Sequence, residues 1–255
     1  MRNLWVICQK ELRSYFVSPV AYILLAMFAV VFGFFFWNAV GYFVYMGVQS
    51  EMSGQSFPMN LNEEVIRPLV SNTTVIGLFL IPLITMRLFA EEKRTGTIEL
   101  LATSPVRDWE IILGKWLAAV LLYCGILALT ALNFIFLFKY GHPDWKPLAI
   151  AYLGLLLQAG ALLAIGEFIS TLTKNQIVAG AVTFGVCLLL WVLEWVSGYE
   201  SAPWARVLAY MSVITHFESF SKGLLSSKDA IFYVTLTYLG LFFTARSMES
   251  IRWRS

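Results

Sequence analysis

WLAAVLLYCGILALTALNFIFLF, residues 116–138, runs for 23 positions without an Asp, Glu, Lys or Arg. A helix rises about 1.5 Å per residue and the hydrocarbon of a bilayer is about 30 Å thick, so roughly 20 such residues cross it. The chain repeats the pattern. Residues 20–42, 68–86, 147–166 and 175–193 are also free of charge, and 230–245 form a shorter run with Asp229 and Arg246 at its ends. Long side chains at such ends snorkel, and a short span is accommodated by tilt or local thinning. Barrel strands would be alternating segments of about ten residues, which these are not. The reading is an all-α integral membrane protein with six transmembrane helices.

Composition agrees. Of 255 residues, 59% are hydrophobic and only 13% charged, with 20 Phe, 11 Tyr and 9 Trp. A soluble domain carries about a quarter charged residues and could not hide this much apolar surface. Disordered, coiled-coil and disulfide-scaffold classes fall with it. A net charge of +2 implies no nucleic-acid partner. The three cysteines build no disulfide framework. The first apolar run is too long for the core of a signal peptide and reads as a retained span.

Lysine and arginine set the orientation. Twelve fall on one side, in the N-terminus (Arg2, Lys10, Arg13), the 87–115 segment, Lys174 and the C-terminus; six fall on the other. Both termini are therefore expected in the cytoplasm. Residues 1–18 place Leu4, Cys8, Leu12, Tyr15 and Phe16 at helical spacing, with Trp5 beside them. This is an amphipathic helix in the interface before Ser18-Pro19 turns the chain into the bilayer. Residues 46–66 read as a polar outer loop with Gly54 and Pro58 as breakers. Residues 198–228 read as one or two short outer helices before the last span, with Trp204, Val207, Leu208, Met211 and Ile214 recurring helically.

Catalytic constellations are absent from the sequence. His142 and His216 are the only histidines, and both lie in outer segments, so no His-Glu-x-x-His zinc site is formed. Ser56 in Gly54-Gln55-Ser56-Phe57 has no membrane-embedded histidine to activate it. Glu167 and Glu194 interrupt apolar runs. A membrane carboxylate is a functional candidate by default, but both lie about one turn from a span end, where a packing or boundary role outweighs a proton relay. Trp37, Trp109, Trp116, Trp145, Trp191 and Trp195 fall near span ends as an interfacial belt. Gly154, Gly160 and Gly166 make no strict Gly-x-x-x-Gly.

The most charged cytoplasmic stretch is Arg87-Leu88-Phe89-Ala90-Glu91-Glu92-Lys93-Arg94-Thr95-Gly96-Thr97-Ile98-Glu99-Leu100-Leu101, running on to Ser104-Pro105. It resembles the first cytoplasmic loop of permease subunits of type-2, exporter-class ABC transporters. Lys10-Glu11-Leu12-Arg13 resembles that family's elbow helix, Ser170-Thr171-Leu172-Thr173-Lys174-Asn175 its turn between spans four and five, and His216-Phe217-Glu218-Ser219-Phe220 its outer segment before span six. Together these segments most resemble the permeases linked to gliding motility and to copper-reductase maturation.

The resemblance implies one permease domain over 1–255, with spans near 20–42, 68–88, 114–138, 147–169, 175–196 and 229–247. It implies residence in a bacterial cytoplasmic (inner) membrane. It also implies a cytoplasmic coupling helix between spans two and three. That element would use Glu91, Glu92, Lys93, Arg94, Thr95, Gly96, Thr97, Ile98, Glu99, Leu100 and Leu101 to dock an ATPase. With Thr95 or Thr97 as N-cap, Ile98, Leu100 and Leu101 would point an apolar face at a partner groove. No Gly-x-x-x-x-Gly-Lys-[Ser/Thr] occurs in the chain. The chain is thus expected to bind no cofactor and to be no enzyme, with ATP and Mg carried by two cytosolic ATP-binding cassette subunits. A second permease chain, the same or related, membrane lipid, and an accessory membrane protein with a large outer domain complete the implied partners. A non-transporting membrane scaffold and a lipid-modifying enzyme are the alternatives; a neighbouring gene for an ATP-binding cassette protein discriminates them.

Overall fold

The computed structural model describes residues 2–53, 60–98, 106–141, 143–195 and 203–252. Among these no strand occurs. Helix α1, Arg2–Val17, ends at a bend on Ser18, and Pro19 opens α2, Pro19–Ser53. Proline suits that first position because the N–H it lacks has no intrahelical partner there. A π turn at Asn62–Ile66 leads into α3, Arg67–Thr85. The short α4, Ala90–Thr95, follows, then α5, Asp108–Gly141, and α6, Trp145–Leu172. Helix α7, Gln176–Val192, is capped by Asn175, whose side chain accepts from the Ile177 N–H at 2.9 Å. Helices α8, Pro203–Tyr210, and α9, Val213–Ser221, precede α10, Ser227–Arg252.

Among the described residues, six helical stretches are long and apolar enough to cross a membrane: Ala21–Ser53, Asn62–Thr95, Asp108–Gly141, Trp145–Leu172, Gln176–Trp195 and Ser227–Ser250. Helix α6 is the hub, packing against α3, α5, α7, α9 and α10. The most apolar stretch of α3 is 72% buried in the chain, whereas that of α2 is 17% buried. Helix α2 buries one stripe, Ala21, Leu24, Phe28, Phe32 and Phe36, and leaves Phe34, Trp37, Tyr42 and Tyr45 exposed.

Small residues set the close approaches, because lipid offers no hydrophobic drive for helices to associate and contact area decides instead. A Cβ on Gly154 would lie 2.5 Å from the Cβ of Phe220 on α9. One on Gly166 would lie 2.4 Å from Thr85 Oγ1, and one on Gly240 would lie 2.8 Å from the Ala164 backbone. The glycines of span four thus serve packing within the chain.

Two expectations are corrected. The polar loop at 46–66 is shorter than its composition implied: α2 continues to Ser53, and Glu63 and Glu64 lie in the π turn. Val44, Tyr45, Met46 and Val48 prolong an apolar helix beyond the hydrocarbon length, and no proline intervenes before Pro58. Gly54 and Pro58 themselves lie outside the described residues. The two outer helices also differ from each other. Val213, Phe217 and Phe220 of α9 are buried, while Trp204 and Val207 of α8 are exposed.

Candidate functional site

The charged segment between the second and third spans sits at the same end of the bundle as α1. Helix α4 is short and strongly charged, with Glu91 and Glu92 in its first turn and Lys93 and Arg94 in its last. That order suits the helix dipole, negative charge at the N-terminus and positive at the C-terminus. Gly96 then takes φ 75°. A left-handed residue just past the helix end is the usual glycine stop, and a side chain there would cost roughly 1–2 kcal/mol.

Around α4 the chain has built an internal anchor. Lys115, at the start of α5, is 1% exposed. Its Nζ lies 2.9 Å from Glu11 Oε1 of α1, 2.9 Å from Glu92 Oε1 of α4 and 2.7 Å from the Leu88 carbonyl oxygen. The ammonium donates to all three, which uses its full set of donors. The Phe89 ring lies 5.0 Å away, in reach of a cation–π contact. Lys10 reaches the same two carboxylates at 3.5 and 3.7 Å from the exposed side.

Other contacts fix the flanks. The Arg87 guanidinium donates to both oxygens of Glu91, at 3.0 and 3.4 Å, and to Ser18 Oγ at 3.2 Å. Tyr15 of α1 donates to the Ile84 carbonyl at 2.8 Å, and burial pushes its phenol well above the ordinary range, so it stays protonated. The backbone N–H groups of Phe89 and Ala90 both donate to Ser170 Oγ on α6, each at 3.0 Å. Lys93 Nζ donates to the Thr171 carbonyl, and Thr171 Oγ1 passes a bond on to Ser247 Oγ of α10 at 2.8 Å.

The expected docking residues therefore divide. Glu91, Glu92 and Lys93 are half-buried and committed to this anchor. Arg94, Thr95, Gly96 and Thr97 are exposed. Ile98 is 7% exposed and belongs to the apolar core. Its side chain faces its own chain and offers no apolar surface to a partner, because a large aliphatic group is drawn into the nearest available core. Thr97 stands directly before Ile98, a helical residue with which this described segment ends, whereas the other N-cap candidate, Thr95, is not placed as one. It closes α4, with its Oγ1 donating to the Glu91 carbonyl at 3.0 Å, a back-bond open to hydroxyls within a helix. Glu99, Leu100 and Leu101 lie outside the described residues.

Glu167, expected near water, is fully buried in α6, and neither carboxylate oxygen has a hydrogen-bond partner among the described residues. It lies within electrostatic reach of Lys115 and Glu11. Glu194, by contrast, is only half-buried.

A charged segment anchored at one end of six apolar helices is the frame in which the comparisons are read. A model of the ABC-2 family of transporter proteins matches residues 5–243. The chain belongs to the ABC-2 transporter family. This ABC-2 protein is also 27% identical over 161 residues, 62% of its length, to proteins named "Probable multidrug ABC transporter permease YbhR" from Escherichia coli strains K12 and O157:H7. The matched part is 42% of those relatives, so the alignment spans under half the length of the curated proteins it matches.

In this ABC-2 chain the sequence reading placed a short helix from about Thr95, most of which lies outside the described residues, and it passed over both α4, which ends at Thr95, and its anchor. Glu11, Ser170 and Thr171 lie in stretches read as an elbow and a turn, and Lys115 was counted as a loop charge. The available signal was the placement of Lys115 directly against a 23-residue apolar run, where a lysine must either snorkel or find buried partners.

Proposed function

We propose that this chain is the permease of an exporter-class ABC transporter in which two six-span chains, the same or related, meet two cytosolic ATP-binding subunits that carry ATP and Mg. Residues 91–101 form the docking element, with the exposed corner Arg94–Thr97 as its contact. The observation that carries the reading is how this corner is mounted. A loose loop would absorb a push from a partner. Here Lys115 clamps α4 to α1 and α5, and Ser170 and Thr171 hold it to α6, so a displacement at the corner moves three helices together.

The Lys and Arg excess at this end supports a cytoplasmic position for it, with both termini inside, and we place the chain in a bacterial inner membrane. We assign the chain to the permeases of gliding motility and copper-reductase maturation. The order of its elbow, coupling, turn and outer segments supports that assignment, and an accessory membrane protein with a large outer domain goes with it. The test uses Arg94→Glu with Thr97→Arg, two exposed positions that take no part in the anchor. The double variant is expected to insert normally, to lose the co-purifying ATP-binding subunit in mild detergent and to lose transport-linked ATPase activity. Unchanged co-purification and activity would place the docking surface elsewhere.

A further inference from the structure

The flank of the bundle carries a groove where α5, α6 and α10 meet. Its volume is about 330 Å³, and its lining includes Trp116, Val120, Leu157, Gly160, Thr237 and Leu241, with Val234 and Tyr238 exposed at the lip. The walls are almost wholly apolar. The polar atoms of Trp116 and Thr237 are already used inside the chain. The Trp116 indole N–H donates to the Gly160 carbonyl at 2.9 Å, and the Thr237 hydroxyl donates to the Tyr233 carbonyl at 2.8 Å. No donor on either side chain is left for a polar ligand.

Depth decides what medium the groove meets. Val234 is five positions after Asp229, and Leu241 is five positions before Arg246. Roughly 7 Å of charge-free helix therefore separates the groove from water at each end of α10. Leu157 and Gly160 lie inside the charge-free run 147–166 of α6. The seven positions from Val234 to Leu241 span roughly 10 Å, against about 15 Å for one leaflet of hydrocarbon. An apolar hollow at this depth takes no water. Left empty, its walls would forgo their dispersion contacts.

The hollow is built into the backbone packing. A Cβ on Gly160 would lie 3.4 Å from Trp116 Cζ2, so the glycine lets the tethered indole rest on α6. Nearby, a Cβ on Gly240 would lie 2.8 Å from the Ala164 backbone. Helices α6 and α10 thus already touch and cannot close further over the space. From the lip a column of side chains leads to the α4 end of the bundle. Tyr238 stacks with Phe242 at 6.3 Å, and the Arg246 guanidinium lies 5.2 Å over the Phe242 ring. Trp116 points to the same end, standing beside Lys115 of the clamp. The charge of Arg246 is met by Glu249 at 2.9 Å, so recognition rests on an apolar chain and not on a headgroup.

We infer that this groove seats one acyl chain of a membrane phospholipid, taken from the leaflet on the α4 side. A fixed, dry, chain-wide hollow offers contact on three sides, where an open helix face such as that of α2 offers one. The site stands whether or not α4 docks an ATPase, and its test requires no partner chain.

Full-length protein, delipidated in mild detergent, is titrated with phosphatidylethanolamine that carries a photoactivatable diazirine in one acyl chain. Bound lipid is counted by native mass spectrometry, and the cross-linked residues are mapped by peptide mass spectrometry. The proteins compared are the wild type, a filled variant with Val120→Phe and Thr237→Phe, Thr237→Phe alone, and the size-keeping Thr237→Val. A thermal midpoint no lower than that of the wild type verifies the fold, and Thr237→Phe, which leaves α5 untouched, serves if the double variant does not fold. The expected result is saturable binding of one lipid, cross-linked to the 156–160 and 234–241 segments. That labelling falls roughly tenfold in the filled variant and is kept in Thr237→Val. Labelling spread evenly over the groove and the exposed Phe34 and Trp37 of α2, and unchanged by filling, marks ordinary boundary lipid and overturns the inference. A wild type labelled on α2 but not in the groove shows that another chain covers the groove, and overturns it equally.

Discussion

Replacing Lys115 with Met keeps the length and most of the volume of the side chain while removing its charge. In the native chain the ammonium is 1% exposed and satisfies Glu11 and Glu92, whose side chains are 13% exposed. Without it, two carboxylates that share one cation at 2.9 Å face each other in a poorly solvated site, with only the exposed Lys10 nearby at 3.5 and 3.7 Å. Breaking a buried pair by removing one partner costs about 3–5 kcal/mol, far more than loss of a surface ion pair. At about 2–4 °C per kcal/mol for a chain of this size, the thermal midpoint falls by roughly 10 °C. Because the clamp joins α1, α4 and α5, the loss is expected first as local opening, with trypsin cutting at Lys93 or Arg94 well below the global transition. The assay is limited proteolysis with intact-mass readout beside a thermal melt in detergent. Adding Glu92→Gln to Lys115→Met removes one of the stranded charges and should recover part of the loss. A Lys115→Met protein that melts and resists trypsin like the wild type would refute the clamp.

Three further outcomes are expected. Gly240→Ala places a Cβ 2.8 Å from the Ala164 backbone, so α6 and α10 must separate. The cost is about 1–3 kcal/mol, and a thermal melt equal to the wild type would contradict that packing. Glu167→Gln keeps the shape of a fully buried group without described hydrogen-bond partners and puts a neutral amide in place of its carboxyl, so its thermal midpoint should not fall; a drop of several degrees would reveal a bond that needs the carboxyl group. For orientation, Leu224→Cys should react with an impermeant thiol reagent added outside intact cells and Thr95→Cys should not. The Cys8 background is low because burial raises its thiol pKa, and the reverse labelling pattern would invert the topology.

How much of this was legible in the sequence follows from the physics of each feature. Apolar length is a one-dimensional quantity: 23 uncharged residues at 116–138 must find an apolar medium whatever their neighbours, so spans could be read without knowing what packs on what. The end of α2 was misplaced because a polar composition after residue 46 does not break a helix; only a backbone that cannot continue does. Ile98 was placed outward for a related reason. Local spacing reports that a residue is apolar, and the side of the helix it takes depends on which distant surface is nearest. The glycines of α6 were seen, but what they admit (Phe220, Thr85) comes from elsewhere in the chain.

The anchor and the pairing of His216 with Asp229 are harder to read for one shared reason. Glu11, Glu92 and Lys115 are each ordinary charges in polar stretches, separated by 81 and 23 positions, and a lysine bound for a buried site looks like one bound for water. His216 and Asp229 lie only 13 positions apart, yet the other ring nitrogen meets the Tyr210 backbone carbonyl, a partner that no residue type announces. Charge in a membrane protein is informative in proportion to its burial, because desolvation makes an unpaired ion costly and so forces a specific partner. Lys115 at 1% exposure demands its two carboxylates; Arg94, exposed to solvent, demands nothing from its own chain. That asymmetry separates the groups that hold α4 in place from those that the proposed docking leaves for another protein, which is why Arg94 and Thr97 are the positions to change and Glu92 is spared.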